Sequence, residues 1–207
     1  MVEFSKNKAN DIQKLRKKVK RKLDKKRYIH TLGVSYTAAA LAMRYGADIE
    51  KAQVAGILHD CAKYLECGEM LGLCEKYHIS ITEVERHNPC LLHAKLGGFF
   101  AMKKYHVHDK EIIGAIINHT TGRPNMNLLE KVIFVADYIE PSRDRVPNLK
   151  EIRRLAFVEI DEAVIFILKD TLCYLSSKQV EVDDMTQKTY NYYEKILEKK
   201  KENQLDG

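Results

Sequence analysis

Ala55-Gly56-Ile57-Leu58-His59-Asp60-Cys61-Ala62-Lys63 carries an apolar helical run straight into an adjacent histidine and aspartate, with a lysine one turn further on. A bare polar group is costly to bury, so this pair needs a partner. Neighbouring residues on an ideal helix point ~100° apart. Both can therefore reach one cation only if the helix ends beside it. Lys63 lies three residues after Asp60, shares its face, and could meet a phosphate held by the same cation. Taken alone, the stretch also reads as a capped helix end with a surface ion pair.

Outward from this segment the same helical character continues. There is no sustained period-2 alternation, only 4 prolines occur in 207 residues, and Ala, Leu, Lys and Glu are abundant. The spacing predicts helices at about 10–24, 26–45, 48–65, 67–77, 80–86, 90–106, 109–118, 127–140, 148–157, 159–175 and 183–200. Breaks fall at Gly46, Gly68, the Asn88–Pro89 step, Thr121-Gly122-Arg123-Pro124 and Pro141. No linker or repeat divides the chain, so the fold class is all-α, built as a single helical bundle. The expected organisation is a basic N-terminal helical arm over 1–25, the main domain over 26–195 and a charged tail over 196–207.

Bulk properties narrow the function classes. No apolar run approaches the ~20 residues needed to span a membrane, and the charged start has no apolar core of a secretory signal; a cytoplasmic protein is expected. The net charge of +6 is uneven. Residues 1–27 hold 12 basic and 3 acidic groups (+9), while the other 180 residues hold 23 and 26 (−3). A basic arm could touch an anionic surface, but Ile12, Leu15, Val19 and Leu23 have the spacing of an amphipathic helix that packs. The cysteines Cys61, Cys67, Cys74, Cys90 and Cys173 include no C-x-x-C pair, and are expected to be scattered reduced thiols.

Helical proteins build metal sites from inward-facing side chains on neighbouring helices. Besides His59-Asp60, His30 sits in Arg27-Tyr28-Ile29-His30-Thr31-Leu32-Gly33-Val34, at the start of a long helix. Asp137 ends the apolar run of Lys131-Val132-Ile133-Phe134-Val135-Ala136-Asp137-Tyr138-Ile139-Glu140, too late to cap it. His93 and His119 each adjoin apolar sequence, the second running into Thr120-Thr121-Gly122-Arg123. Any one of these histidines could instead be a satisfied core residue, His93 and His119 could lie at the surface, and Asp137 could be half of an ion pair. His78, His87, His106 and His108 lie in polar surroundings and receive no role. In order, His30, His59-Asp60 and Asp137 stand at intervals of 29 and 77 residues. Two imidazoles and two carboxylates suit iron, manganese or a similar divalent ion better than a thiolate zinc site, with positions left for water and phosphate oxygens.

This His…His-Asp…Asp order resembles the HD superfamily of metal-dependent phosphohydrolases. The stretches RYIHTLGV, AGILHDCAKY, NPCLLHAKLGG, INHTTGRPNM and KVIFVADYIEPSRD, spanning 27–144, most resemble the bacterial symmetrical bis(5'-nucleosyl)-tetraphosphatase family. The resemblance implies an HD-domain bundle in which His30, His59, Asp60 and Asp137 bind iron (Fe²⁺/Fe³⁺) or a related ion such as Mn²⁺. It also places Lys63, His93, His119, Thr120, Thr121 and Arg143 near the nucleotide phosphates, with Arg27 close enough to join them. The implied reaction cuts diadenosine tetraphosphate in the middle to give two ADP. Asp60 would be both ligand and proton acceptor, and Lys63, His93, His119 and Arg143 would offset phosphoryl charge. The implied partners are a dinucleoside polyphosphate and ADP- or GDP-type products, with neither membrane nor nucleic acid; oligomeric state is left open, a homodimer included. The alternatives are another HD enzyme (a nucleotide pyrophosphatase, 5'-nucleotidase or phosphodiesterase) and a nucleotide- or RNA-binding module that uses the basic arm.

Overall fold

Lys25–Tyr45 forms a long helix, α2, because the sequence supplies both a cap and an apolar face. Asp24 Oδ1 accepts from Arg27 N at 2.8 Å, and Val34, Ala38, Leu41 and Ala42 are fully buried along one side. The computed structural model describes residues 8–144 and 146–205, and every regular element among them is helical. The first seven residues of the expected arm and the last two of the expected tail lie outside the described residues.

Ahead of α2, α1 (Lys8–Lys20) buries Ile12 and Val19, and Leu23 is buried in the turn that follows. Leu15 is half-buried against the core, while Lys14, Lys17, Lys18 and Lys20 face outward. α3 (Ile49–Leu58), capped by Asp48, lies along α2. The two backbones touch at Gly56: a Cβ there would come within 2.7 Å of Ser35 Cα, closer than any side chain allows. After α4 (Cys67–Lys76), α5 (Glu83–His87) and a 3-10 turn (Pro89–Leu92) come α6 (His93–Tyr105) and α7 (Lys110–Ile117). α8 (Leu128–Ile139) touches α2, α3, α7 and α10, so it is apolar nearly all round, with Val132, Ile133, Val135 and Ala136 fully buried. α9 (Leu149–Val158), α10 (Ile160–Ser177) and α11 (Asp184–Leu205) complete the bundle.

Among the expected helices, α1 ends at Lys20 rather than 24, α5 starts at Glu83 rather than 80 and α11 runs to Leu205 rather than 200, and two others differ in kind. The one read over 48–65 stops at Leu58, and the chain continues as tight turns, with Cys61 N donating to Leu58 O and Lys63 N to Asp60 O. The one read over 90–106 opens as the 3-10 turn and becomes α-helical only at His93. Pro89 starts that turn, where its missing N–H costs nothing. The cysteine expectation is also corrected. Cys67 and Cys90 form a disulfide, Cα–Cα 4.7 Å, between the first residue of α4 and the 3-10 turn. Folding alone brings these two residues together across 23 positions, so no local motif announces the pair. Cys61, Cys74 and Cys173 are free thiols.

Candidate metal centre

Three helices meet at their polar positions to form one cluster. His30 comes from the body of α2, His59 and Asp60 from the turn that ends α3, and Asp137 from the last turn of α8. His30 Nε2 lies 3.0 Å from Asp137 Oδ1, 3.3 Å from His59 Nε2 and 3.8 Å from Asp60 Oδ2. His59 Nε2 lies 3.5 Å from Asp60 Oδ2 and 3.8 Å from Asp137 Oδ1. The end of α3 at Leu58 is what lets the adjacent His59 and Asp60 reach a common point.

A second pair of imidazoles meets the other oxygen of Asp60. His93 Nε2 lies 3.3 Å and His119 Nε2 3.7 Å from Asp60 Oδ1, and the two nitrogens are 3.1 Å apart. Lys63 Nζ stands 3.1 Å from His93 Nδ1. Asp60 thus joins two halves of one site.

The orientation of each ring follows from its outer nitrogen. His59 Nδ1 donates to Gly56 O at 2.8 Å, His93 Nδ1 to Cys90 O at 2.6 Å, and His119 Nδ1 to Ile116 O at 2.7 Å. Each acceptor lies three residues back: for His59 and His119 in the last turn of α3 and α7, where the helical ladder leaves carbonyls unused, and for His93 in the 3-10 turn that leads into α6. His30 Nδ1 instead faces Glu140 Oε1 at 3.0 Å. A neutral ring that keeps its proton on Nδ1 presents a bare Nε2 inward, and the Nδ1 acceptors favour that tautomer in all four.

Cations surround the carboxylates. Arg27 Nη1 donates to Asp60 Oδ2 at 2.7 Å, and Arg143 Nη2 to Asp137 Oδ1 at 2.8 Å. Burial alone would raise Asp60, but the charges and hydrogen bonds of His59, His119 and His93 hold it well below the usual carboxylate range. Burial likewise opposes ionisation of Asp137, yet His30, His59 and Arg143 hold it far down. Burial pushes His93 down to about 3 and lowers Lys63. His30 goes the other way: burial disfavours its charge, but Asp137 and Glu140 outweigh that and raise it.

Bare imidazole nitrogens facing ionised carboxylate oxygens would repel with nothing between them, and a divalent cation removes that repulsion. The donor atoms of His30, His59 and Asp60 lie within 4.8 Å of one another, as do those of His59, His119 and Asp137, and of Asp60, His93 and His119. The residues present therefore fit a metal of the N/O type. Arg27, His30 and Arg143 also line a hollow with Asp24, Lys26, Glu140, Ser142 and Asp144. Thr120 and Thr121 are not in the cluster; they line a separate hollow with Asn118, Leu91, Ala94 and Lys95.

Sequence reasoning missed three supporting residues. Glu140 follows Asp137 by three positions, and that helical spacing was the available signal. Glu130 holds the 118–123 segment, taking Arg123 at 2.6 and 2.8 Å and Asn118 at 2.7 Å. Arg153 donates to the carbonyls of Ile139, Glu140 and Arg143 at 2.9, 2.9 and 3.1 Å.

Residues 27–142 match the family model described as HD domain. The chain is 44% identical over 174 residues to a symmetrical bis(5'-nucleosyl)-tetraphosphatase of Bacillus subtilis, covering 84% of this chain and 92% of that protein. It is 36% identical to a protein of the same description from Staphylococcus aureus, covering 88% and 94%. A crystal structure from Clostridium acetobutylicum, of an HD superfamily hydrolase described as involved in NAD metabolism, superposes with a TM-score of 0.84 at 36% identity, covering 87% and 95%.

Proposed function

The chain belongs to the HD-domain family and, within it, to the symmetrical bis(5'-nucleosyl)-tetraphosphatases, and from that premise we propose how its residues divide the work. It is a metal-dependent hydrolase that cleaves diadenosine tetraphosphate symmetrically, giving two ADP. The observation that carries the assignment of roles is the bridging position of Asp60, with Oδ2 toward His30 and His59 and Oδ1 toward His93 and His119.

We assign His30, His59, Asp60 and Asp137 as the residues that hold the ion, which we take to be iron, with Mn²⁺ able to replace it. Bound there, the ion supplies a Lewis acid that activates water and withdraws charge from a phosphate. Asp60 Oδ1, facing His93 Nε2 and His119 Nε2, is placed to take the proton of the attacking water. Arg27 and Arg143 line the hollow beside His30, where their guanidiniums would pair with phosphate oxygens. Lys63, beside His93, would offset charge gathering on the phosphoryl group or the leaving ADP. Thr120 and Thr121 would contact the nucleotide from the second hollow. Among the described residues no helix is long and apolar enough to cross a membrane. We propose a cytoplasmic setting, as befits a nucleotide substrate, where the Cys67–Cys90 bond faces reduction.

Incubation of purified protein with diadenosine tetraphosphate and Fe²⁺ or Mn²⁺, with and without chelator, tests the reaction. ADP as sole product, abolished by chelator, is the expected result. AMP plus ATP would mean asymmetric cleavage and would remove the assignment.

A further inference from the structure

Glu140 has no place in the catalytic scheme, yet it is 1% exposed and aimed at the centre. An ionised carboxylate is not left buried without cause. Its Oε1 takes His30 Nδ1 at 3.0 Å and Ser142 Oγ at 2.5 Å, while Oε2 takes Ser142 N at 2.7 Å. The carboxylate occupies space that only a glycine leaves. A Cβ on Gly33, one turn after His30 on α2, would come within 2.3 Å of Glu140 Oε2.

From this geometry we infer that Glu140 is the positioning residue of the metal centre: it fixes the proton of His30 on Nδ1 and so turns a bare Nε2 toward the ion. The inference rests on the reading of His30 as a ligand. His30 sits inside α2, where the carbonyls three and four residues back belong to the helix's own ladder, so the lock available to the other three rings is closed to it. A carboxylate fills that role and, being charged, also makes the ring a stronger donor.

The test uses the full chain and Mn²⁺ alone, titrated against a fluorescent chelator. Gly33→Ala keeps Glu140 and His30 but drives the carboxylate from its seat, and alanine is the better helix former, so the fold should hold. Gly33→Ala and Glu140→Ala are expected to weaken Mn²⁺ binding by about 10–100-fold. Glu140→Gln, which keeps an acceptor for Nδ1–H but not the charge, is expected to lose less. In the metal-free protein at alkaline pH, the ¹⁵N signals of His30 should show one tautomer in the wild type and a mixture in Glu140→Ala, a change that loss of packing alone does not produce. Wild-type Mn²⁺ affinity in both Gly33→Ala and Glu140→Ala would overturn the role of Glu140 and leave the metal centre standing. A wild-type protein that bound no Mn²⁺ would bring down the ligand reading, and this inference with it.

Discussion

His59, His93 and His119 are held by the backbone, whereas His30 is held by a side chain. His59 and His119 follow helix ends, where carbonyls three residues back are free to accept from Nδ1, and His93 opens α6 and donates to Cys90 O in the 3-10 turn before it. His30 stands within a helix and depends on Glu140, 110 residues away in sequence. A backbone lock comes with the turn itself, and no substitution of a neighbouring side chain removes the acceptor. A side-chain lock must be assembled from distant segments, and it brings a charge. The electrostatics follow: carboxylates raise His30, while burial beside Lys63 and His119 takes His93 down to about 3.

Removing Asp137 tests the His30 half most severely. Asp137→Ala should yield a folded, metal-depleted and inactive protein, read by metal analysis and turnover; a variant that kept both metal and full activity would erase the distinction between the halves. Lys63→Ala acts on the His93 half. We expect retained metal and a loss of ~10²–10³ in turnover, typical of a single electrostatic contact. Unchanged kinetics would remove Lys63 from the site. The smallest effect is the opposite titration of the two rings in metal-free protein. His93 should stay neutral well below its ordinary 6.5, so it costs stability as pH falls from 6.5 toward about 3, at up to ~1.4 kcal/mol per pH unit. His30, raised, contributes stability that is complete below 6.5 and lost as pH rises through its folded value. Ring ¹⁵N signals followed over pH would show the two diverging. Both rings charging together near 6.5 would mean the locks do not set their charge.

Much of this was legible from the chain. Helical spacing gave α2, α7 and α8 to within a residue or two, and polar residues beside apolar runs made His30, His59, Asp60 and Asp137 candidates, each with a bland alternative, that the fold gathers into one cluster. Arg27 and Arg143 were expected near phosphate, and each donates to a carboxylate of the cluster, Asp60 and Asp137 respectively. Periodicity tells which face of a helix turns inward but not what it meets there. The early end of α3 was therefore hidden, since its sequence continues to look helical through Leu65 while His59 takes the carbonyl of Gly56. Glu140 closes an apolar run and shows no role there, because its meaning lies in the space above Gly33. The Cys67–Cys90 bond was missed for the same reason: proximity across 23 residues is a property of the folded chain.

Gly56 serves twice, as the acceptor for His59 and as the point where α2 and α3 touch backbone to backbone. Mutational tolerance around the centre is therefore lowest at a position with no side chain to lose. One added methyl would have to push the Ser35 backbone aside, and the strand of turns carrying His59 and Asp60 would move with it. A saturation survey scored on metal retention would rank Gly56 among the ligands, although nothing in its chemistry says so.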